Sequence, residues 1–217
     1  MMAARCTVAA CCVATWCVAA WCVAAAGLAG CGGPARPAVP GPGEPVQSIP
    51  SSLLSQARPV GTGPRFQPPV SGPVNGSCAA ALGARNGVHV EVFAANRVLL
   101  VPAGIGTGAP RGELDGRIVR ARCYGALVTL DPTGVVLVRP GARLTLTDLF
   151  RSWGQPLSAD QLATFSAVAG AQVSVYVNGK RWHGEPAAVP LSRHAEIVLE
   201  VGPHVPPHSS YTFPPGT

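Results

Sequence analysis

The five histidines are the side chains best suited to acid–base or metal chemistry near neutral pH, and their spacing favours neither. His89 lies in an alternating apolar stretch, and one imidazole alone cannot hold a metal ion against water. His204 and His208 lie in a proline-rich stretch, where the prolines keep the two rings apart. His183 and His194 lie near opposite ends of a predicted hairpin, where surface roles are more common than catalysis. We therefore predict no cofactor and no metal site, with His89 as a weak metal candidate only.

The sequence contains none of the common catalytic or nucleotide-binding motifs. A Gly-x-Ser-x-Gly elbow, a His-Glu-x-x-His pair, a P-loop and a Gly-x-Gly-x-x-Gly fingerprint are all absent. The glycine-rich residues 104–108 lack the lysine of a phosphate-binding loop, so an ordinary loop is expected there. The few acidic residues show no spacing typical of glycoside hydrolysis. The sequence thus predicts a protein that is not an enzyme, and an enzyme acting on cell-wall material is the weaker alternative.

The first thirty residues have the pattern of a secretory signal peptide. One positive charge near the N-terminus precedes residues 6–26, which carry no charge. The following Leu28-Ala29-Gly30-Cys31 resembles the bacterial lipobox. That resemblance implies cleavage before Cys31, acylation of its thiol by a palmitate-type chain, and a lipid anchor on the extracellular face of the cell membrane. Two alternatives remain: residues 6–26 are long enough to span a membrane uncleaved, or a plain signal peptide is cut elsewhere.

The cysteines separate into three groups once they are placed along the chain. Of the eight, five lie in the predicted signal peptide and Cys31 is the predicted lipidation site. Cys78 and Cys123 remain, and an exported protein favours a disulfide between them. Closing a loop with a sequence separation of 45 would contribute about 4 kcal/mol in the chain-entropy model. The alternatives are two independent buried thiols or a metal pair, and the latter lacks a Cys-x-x-Cys motif.

Residues 31–77 have the composition of a tether. They contain 11 prolines and 8 glycines in 47 residues, too little apolar surface to offset the entropy of folding. A spacer is the preferred interpretation, and a proline-rich ligand for a partner domain is the alternative. The net charge of +6 comes from scattered, mostly arginine side chains, which suits weak attraction to anionic envelope polymers and makes nucleic acid a poor fit.

Residues 78–217 have the pattern of a folded domain with hairpins. Alternating residues 89–93 and 98–102 flank a short turn, and residues 118–130 and 135–138 flank the turn sequence Asp-Pro-Thr-Gly at 131–134. The strongest hairpin signal is Asn178-Gly179, after an alternating strand at 173–177. A closing strand is expected at residues 195–201.

Two short helices are expected between the hairpins. The first begins with Thr145 as its N-cap and ends at Gly154. The second covers residues 158–165, where Ser158 and Gln161 fit a capping box. This order predicts an α+β fold: a mainly antiparallel or mixed sheet, one or two short helices on one face, and one disulfide. One helix crossing between hairpins resembles the β-grasp arrangement of ubiquitin-like folds.

The domain also resembles a family of exported bacterial proteins of uncharacterised activity. The matching pieces are Cys78, His89-Val90-Glu91-Val92-Phe93, Val101-Pro102-Ala103-Gly104-Ile105-Gly106, Cys123-Tyr124, Thr133-Gly134, Leu149-Phe150-Arg151-Ser152-Trp153-Gly154-Gln155-Pro156-Leu157 and Val175-Tyr176-Val177-Asn178-Gly179-Lys180. The resemblance implies a pattern of alternate histidines that could converge on a transition metal. This chain departs from that pattern at Arg85, Gly87, Val128-Thr129-Leu130 and Leu137. A metal site of the family, if there is one, is therefore expected to be lost here.

These observations predict a lipid-anchored, extracytoplasmic, non-enzymatic lipoprotein: a signal peptide at 1–30, a disordered tether at 31–77 and a globular domain at 78–217. Its expected function is a binding or accessory module at the cell envelope, with an envelope protein as partner. Trp182, flanked by Lys180 and Arg181, is the candidate partner-binding spot, although cross-strand packing is an equal explanation for the tryptophan. The alternative function is copper or zinc handling by a degenerate histidine site.

Overall fold

The structure is a computed structural model that describes residues 57–168 and 171–217. The predicted signal peptide, the lipidation site Cys31 and residues 31–56 of the predicted tether lie outside the described residues. Within the described ranges, no helix is both long enough and apolar enough to cross a membrane.

Eleven strands, one α-helix and one 3₁₀ turn are seen in the described residues. In chain order they are β1 (Asn86–Ala94), β2 (Arg97–Val98), β3 (Thr107–Leu114), β4 (Arg117–Tyr124), β5 (Leu127–Val128), β6 (Val135–Val138), α1 (Leu146–Trp153), β7 (Gln161–Leu162), β8 (Phe165–Ser166), β9 (Ser174–Val177), β10 (Lys180–Arg181), the 3₁₀ turn (Pro186–Ala188) and β11 (Glu196–Val201).

A mixed sheet of seven strands forms the body of the fold. Its order is β10-β9-β11-β1-β6-β5, and β2 pairs with β1. The central pair, β1 and β11, is parallel, and every other pair in this sheet is antiparallel. The predicted mainly antiparallel or mixed sheet is thus confirmed, and the described residues contain one short α-helix. Two smaller hairpins, β3-β4 and β7-β8, lie outside the sheet.

The sheet buries one face against α1. On β1 the core side chains are Val88, Val90 and Val92, each at most 1 % exposed. Because side chains alternate along a strand, His89 and Glu91 are placed on the opposite face. The parallel register puts Glu196 of β11 beside His89. The fold therefore presents polar residues of two neighbouring strands on the side away from the main core.

Helix α1 forms as its sequence predicts. The backbone N–H of Thr145 donates to the Asp148 carboxylate at 2.9 Å. This hydrogen bond gives a partner to a backbone donor at the start of the helix. The helix ends at Gly154, whose φ of 84° is the left-handed conformation that glycine adopts readily. The apolar stripe of the helix is buried in the same core as the sheet: Leu146, Leu149, Phe150 and Trp153.

The helix predicted at residues 158–165 is wrong, because this segment forms the β7-β8 hairpin. The N–H of Ser158 donates to the carbonyl of Gln161 at 2.9 Å, closing a turn rather than a helix. Phe165 packs on Phe66 with ring centroids 4.7 Å apart. The tertiary contact with residue 66 outweighs the local capping signal, since a single cap contributes only about 1 kcal/mol.

The hairpin predicted between residues 118–130 and 135–138 is correct only near its turn. β5 pairs with β6 around residues 131–134, but β4 pairs with β3 instead. The β3-β4 turn is Asp115-Gly116, and both residues have positive φ, 50° and 75°. Asp-Gly is a common sequence for such a hairpin turn, so the sequence itself carries a local signal for the β3-β4 hairpin.

The folded unit begins before residue 78, so the predicted tether is too long. The N–H of Gly61 donates to the carbonyl of Val98 at 2.9 Å, and Val60 forms an isolated bridge with the same residue. The indole N–H of Trp153 donates to the carbonyl of Pro68 at 3.1 Å. Phe66 packs against the main core. Few aromatic or aliphatic anchors are needed to fix a proline-rich segment whose backbone is already stiff.

The predicted disulfide is confirmed. Cys78 and Cys123 are bonded, with Cα atoms 5.3 Å apart. Next to the bond, Ala79 and Tyr124 form an isolated antiparallel bridge with N–H donors in both directions at 2.9 and 2.7 Å. The bond therefore attaches the segment before β1 to the end of β4.

Candidate metal centre

His89 and Glu196 form the buried centre of the polar face. The imidazole Nδ1 lies 2.7 Å from Glu196 Oε2, and the side chains are 8 % and 1 % exposed. The two residues belong to different strands, so the parallel β1-β11 register is what brings them together. The result is a histidine–carboxylate pair removed from solvent.

The second ring nitrogen of His89 has a fixed role. Nε2 lies 3.0 Å from the backbone carbonyl oxygen of Thr133. A carbonyl oxygen can only accept a hydrogen bond, so Nε2 carries the hydrogen and donates it. This leaves Nδ1 facing Glu196. Metal-binding histidines are commonly oriented in this way, with the distal N–H held by a backbone carbonyl or a carboxylate.

Gly134 makes the Thr133 contact sterically feasible. Its φ is +81°, and a Cβ placed there would lie 2.5 Å from the carbonyl oxygen of Val90 and 3.2 Å from His89 Nε2. Any side chain would push the turn away from β1. The Asp-Pro-Thr-Gly turn thus has two roles, because it connects β5 to β6 and orients the His89 ring.

One carboxylate oxygen of Glu196 has no hydrogen-bond partner among the residues that the structure describes. Oε2 bonds His89, whereas Oε1 is buried and makes no hydrogen bond within the described residues. Burial raises the pKa of Glu196, and the hydrogen bond with His89 partly offsets the rise. A buried carboxylate oxygen with no donor is costly, and a cation or a proton would remove that cost.

Glu91 brings a second carboxylate to the same face. One ligand atom from each of His89, Glu91 and Glu196 lies within 4.8 Å of the others. Ligands around a zinc ion, with bonds of about 2.0–2.2 Å, stand about 3.3 Å apart. Modest side-chain rotations would therefore bring the three atoms to coordination distance. Glu91 also raises the pKa of Glu196 through repulsion between the carboxylates, which a shared cation would relieve.

The C-terminal segment (residues 203–217) covers this face. His208 Nδ1 lies 3.0 and 2.8 Å from the two oxygens of Glu91. The Tyr211 ring stacks on the His89 ring, with centroids 3.8 Å apart and planes 13° apart. The three-residue cluster therefore comes from β1 and β11, and the C-terminal segment packs over it through His208 and Tyr211.

The structure places the predicted recognition residues elsewhere, on the edge strand β10 and just beyond it. Lys180 and Arg181 are exposed. Trp182 is half-buried, packs against the main core, and donates its indole N–H to the carbonyl of Glu185 at 3.2 Å. Trp182 is therefore partly a packing residue, in line with the alternative explanation for it. Arg181, Trp182 and His183 nevertheless line a cleft of about 520 Å³.

Sequence reasoning found His89 but missed its acidic partners. Glu91 could have been found, because it lies two positions from His89 on a predicted strand and must share its face. Glu196 could not, since its place beside His89 depends on a parallel pairing between the first and last strands of the sheet. His208 depends on where the C-terminal segment packs.

Comparison of the chain with protein-family models, curated proteins and solved structures gives no match. The resemblance to an exported bacterial family stays a prediction.

Proposed function

We propose that this chain is a lipid-anchored, extracytoplasmic protein whose domain binds a divalent transition-metal ion through His89, Glu91 and Glu196. The observation that carries the proposal is Oε1 of Glu196, which has no hydrogen-bond partner in the described part of the chain. Its side chain is only 1 % exposed and belongs to a group of three potential ligands. A divalent cation would satisfy this oxygen and neutralise both carboxylates together.

The donor set favours zinc or copper. Imidazole nitrogen together with carboxylate oxygen suits Zn²⁺ and Cu²⁺, whereas an all-oxygen set would favour Mg²⁺ or Ca²⁺. Three protein ligands also leave a coordination position for a further group. The carboxylates supply two negative charges, so a divalent ion would leave the cluster neutral. This proposal differs from the sequence prediction because His89 no longer stands alone.

Calorimetric titration of the purified full-length chain with Zn²⁺ tests the proposal. We expect one-site binding, weakened about tenfold or more in Glu196→Gln and His89→Ala. The matched control is His183→Ala, which removes an exposed histidine outside the cluster and should bind like the wild type. Circular dichroism confirms that each variant is folded. Absence of binding to the wild type, or equal loss in the control, would refute the site.

A second candidate function is recognition of an envelope partner at Lys180, Arg181 and Trp182. It is favoured by the cleft beside Trp182 and by the two exposed cations next to it. Such a surface is expected to lose envelope crosslinks in the Lys180→Ala/Arg181→Ala double variant. The control is Arg193→Ala, another exposed cation. Equal crosslinking in the wild type, the double variant and Arg193→Ala would refute this candidate function.

The β-grasp architecture is part of the same proposal. The first and last strands of the sheet, β1 and β11, are its parallel centre, and α1 lies in the connection between β6 and β9. The strand order β6-β1-β11-β9-β10 supports this arrangement. The fold by itself assigns no activity, because similar folds host many functions.

A further inference from the structure

We infer that the C-terminal segment closes the metal site: His208 supplies a fourth ligand, and metal binding fixes the segment on the sheet. This inference rests on the metal site proposed above. It adds a ligand from a different part of the chain and a consequence for the conformation of that part.

The C-terminal segment is held by side chains rather than by a strand ladder. It contains five prolines, which cannot donate backbone hydrogen bonds, and it forms no strand in the described structure. A segment of this kind depends on a few anchors for its position. Those anchors decide whether His208 stays at the site.

Two anchors stand three residues to either side of His208. Val205 is 2 % exposed, packs with Phe93 and Val198, and donates its N–H to the buried Glu200 carboxylate at 2.7 Å. Tyr211 stacks on His89. The two anchors thereby hold the His208 imidazole against Glu91, one of the three potential ligands.

The His208–Glu91 contact itself is weak without metal. Their side chains are 42 % and 20 % exposed, and solvent-exposed pairs of this type contribute little to stability. Coordination of one ion by His208 and the three sheet residues would convert this contact into a bond between the segment and the sheet. By linkage, whatever tightens the segment when metal binds must also tighten the metal when the segment is closed.

Hydrogen exchange of the full-length chain, with and without saturating Zn²⁺, tests this inference. We expect Zn²⁺ to slow exchange of amides 208–213 by about tenfold or more, because opening then requires loss of a ligand. In His208→Ala the ion should still bind through three ligands, about tenfold more weakly, and exchange of the segment should no longer respond to it. The control is His204→Ala, which removes a neighbouring imidazole paired with Glu200 and should keep the Zn²⁺ response.

Two outcomes overturn the inference and leave the metal site standing. One is Zn²⁺ binding to the wild type with unchanged exchange of the segment, and the other is wild-type affinity in His208→Ala. Failure of the wild type to bind Zn²⁺ at all would overturn the metal site and this inference together. Calorimetry on the same samples tells these cases apart.

Discussion

His89 and Glu196 are register partners on the parallel strands β1 and β11, and their side chains meet at 2.7 Å across a sequence separation of 107. Because His89 Nε2 donates to Thr133, the short contact on the other side of the ring needs a second proton between Nδ1 and Oε2. Without it two lone pairs would face each other. The metal-free pair therefore holds one proton that an entering cation must displace.

That proton makes metal affinity depend on pH. Since burial raises the pKa of Glu196, the carboxyl keeps its proton to higher pH than an ordinary glutamate, and protons compete with the metal below that pKa. We expect Zn²⁺ affinity to rise by about tenfold per pH unit while one proton is released per ion. Calorimetry at pH 5.5, 6.5 and 7.5, in two buffers of different ionisation enthalpy, measures both quantities. A constant affinity with no proton release would contradict the shared proton.

The stability of the metal-free protein should change with pH in a direction set by Glu196. A carboxyl whose pKa is raised on folding binds more protons in the folded state, so stability is lost as pH rises from the ordinary value of 4.5 through the folded pKa. Glu196→Gln cannot ionise and escapes this loss. Urea unfolding in EDTA between pH 4 and 7 should show wild-type stability falling relative to the variant. If the difference in free energy of unfolding between the wild type and the variant stays constant, or changes in the opposite direction, burial does not govern the pKa of Glu196.

Gly134 should be intolerant of a side chain. We expect Gly134→Ala to destabilise the fold by about 1–3 kcal/mol and to weaken Zn²⁺ binding, because the added Cβ would displace Thr133 from His89. Gly141→Ala is the matched control: its φ is +79°, close to the +81° of Gly134, but nothing lies within 4 Å of a Cβ there. Chemical denaturation compares the two variants. Equal losses would mean that backbone strain alone, rather than the contact with β1, accounts for the effect.

Local signals in the sequence were sufficient for the elements that local interactions determine. The helix cap at Thr145, the glycine that ends α1 and the Asn178-Gly179 hairpin are each encoded within a few residues. The Cys78–Cys123 bond followed from counting cysteines. The cap, the glycine and the hairpin could be predicted because the residues that specify them are close in sequence, and the disulfide because only two cysteines remained to pair.

The convergence of residues at the candidate site could not be predicted, because Glu196 and His208 reach it through long-range packing. Nothing near Glu196 in sequence indicates that it lies beside His89. The histidine–carboxylate pattern thus depends on the topology of the sheet, and His208 depends on packing of a segment that the sequence shows only as proline-rich. The helix predicted at 158–165 is wrong for a related reason, since Phe165 packs on Phe66, a residue distant in sequence.

The proposed lipid anchor predicts that Cys31→Ser releases the protein from the membrane fraction and abolishes fatty-acid labelling. The thiol is the only group of that side chain that can carry the thioether-linked lipid. Cys22→Ser is the matched control, because it lies in the apolar stretch expected to be removed and should leave anchoring unchanged. If the Cys31→Ser protein stays in the membrane fraction without the fatty-acid label, the result would favour the alternative in which residues 6–26 span the membrane uncleaved.

The disulfide should be a major source of stability for the domain. It closes a loop with a sequence separation of 45, and chain entropy alone gives about 4 kcal/mol for such a loop. We expect the Cys78→Ser/Cys123→Ser double variant to lose an amount of that order in urea unfolding, and a reducing agent to lower the wild-type midpoint to that of the variant. The reducing agent should leave the variant itself unchanged, which is the internal control. Next to the bond, the Ala79–Tyr124 bridge holds the residues before β1 against the end of β4. When the bond is reduced, hydrogen exchange of the Ala79 amide should therefore accelerate before that of other amides. A midpoint insensitive to reduction would show that packing, rather than the covalent link, holds this part of the fold together.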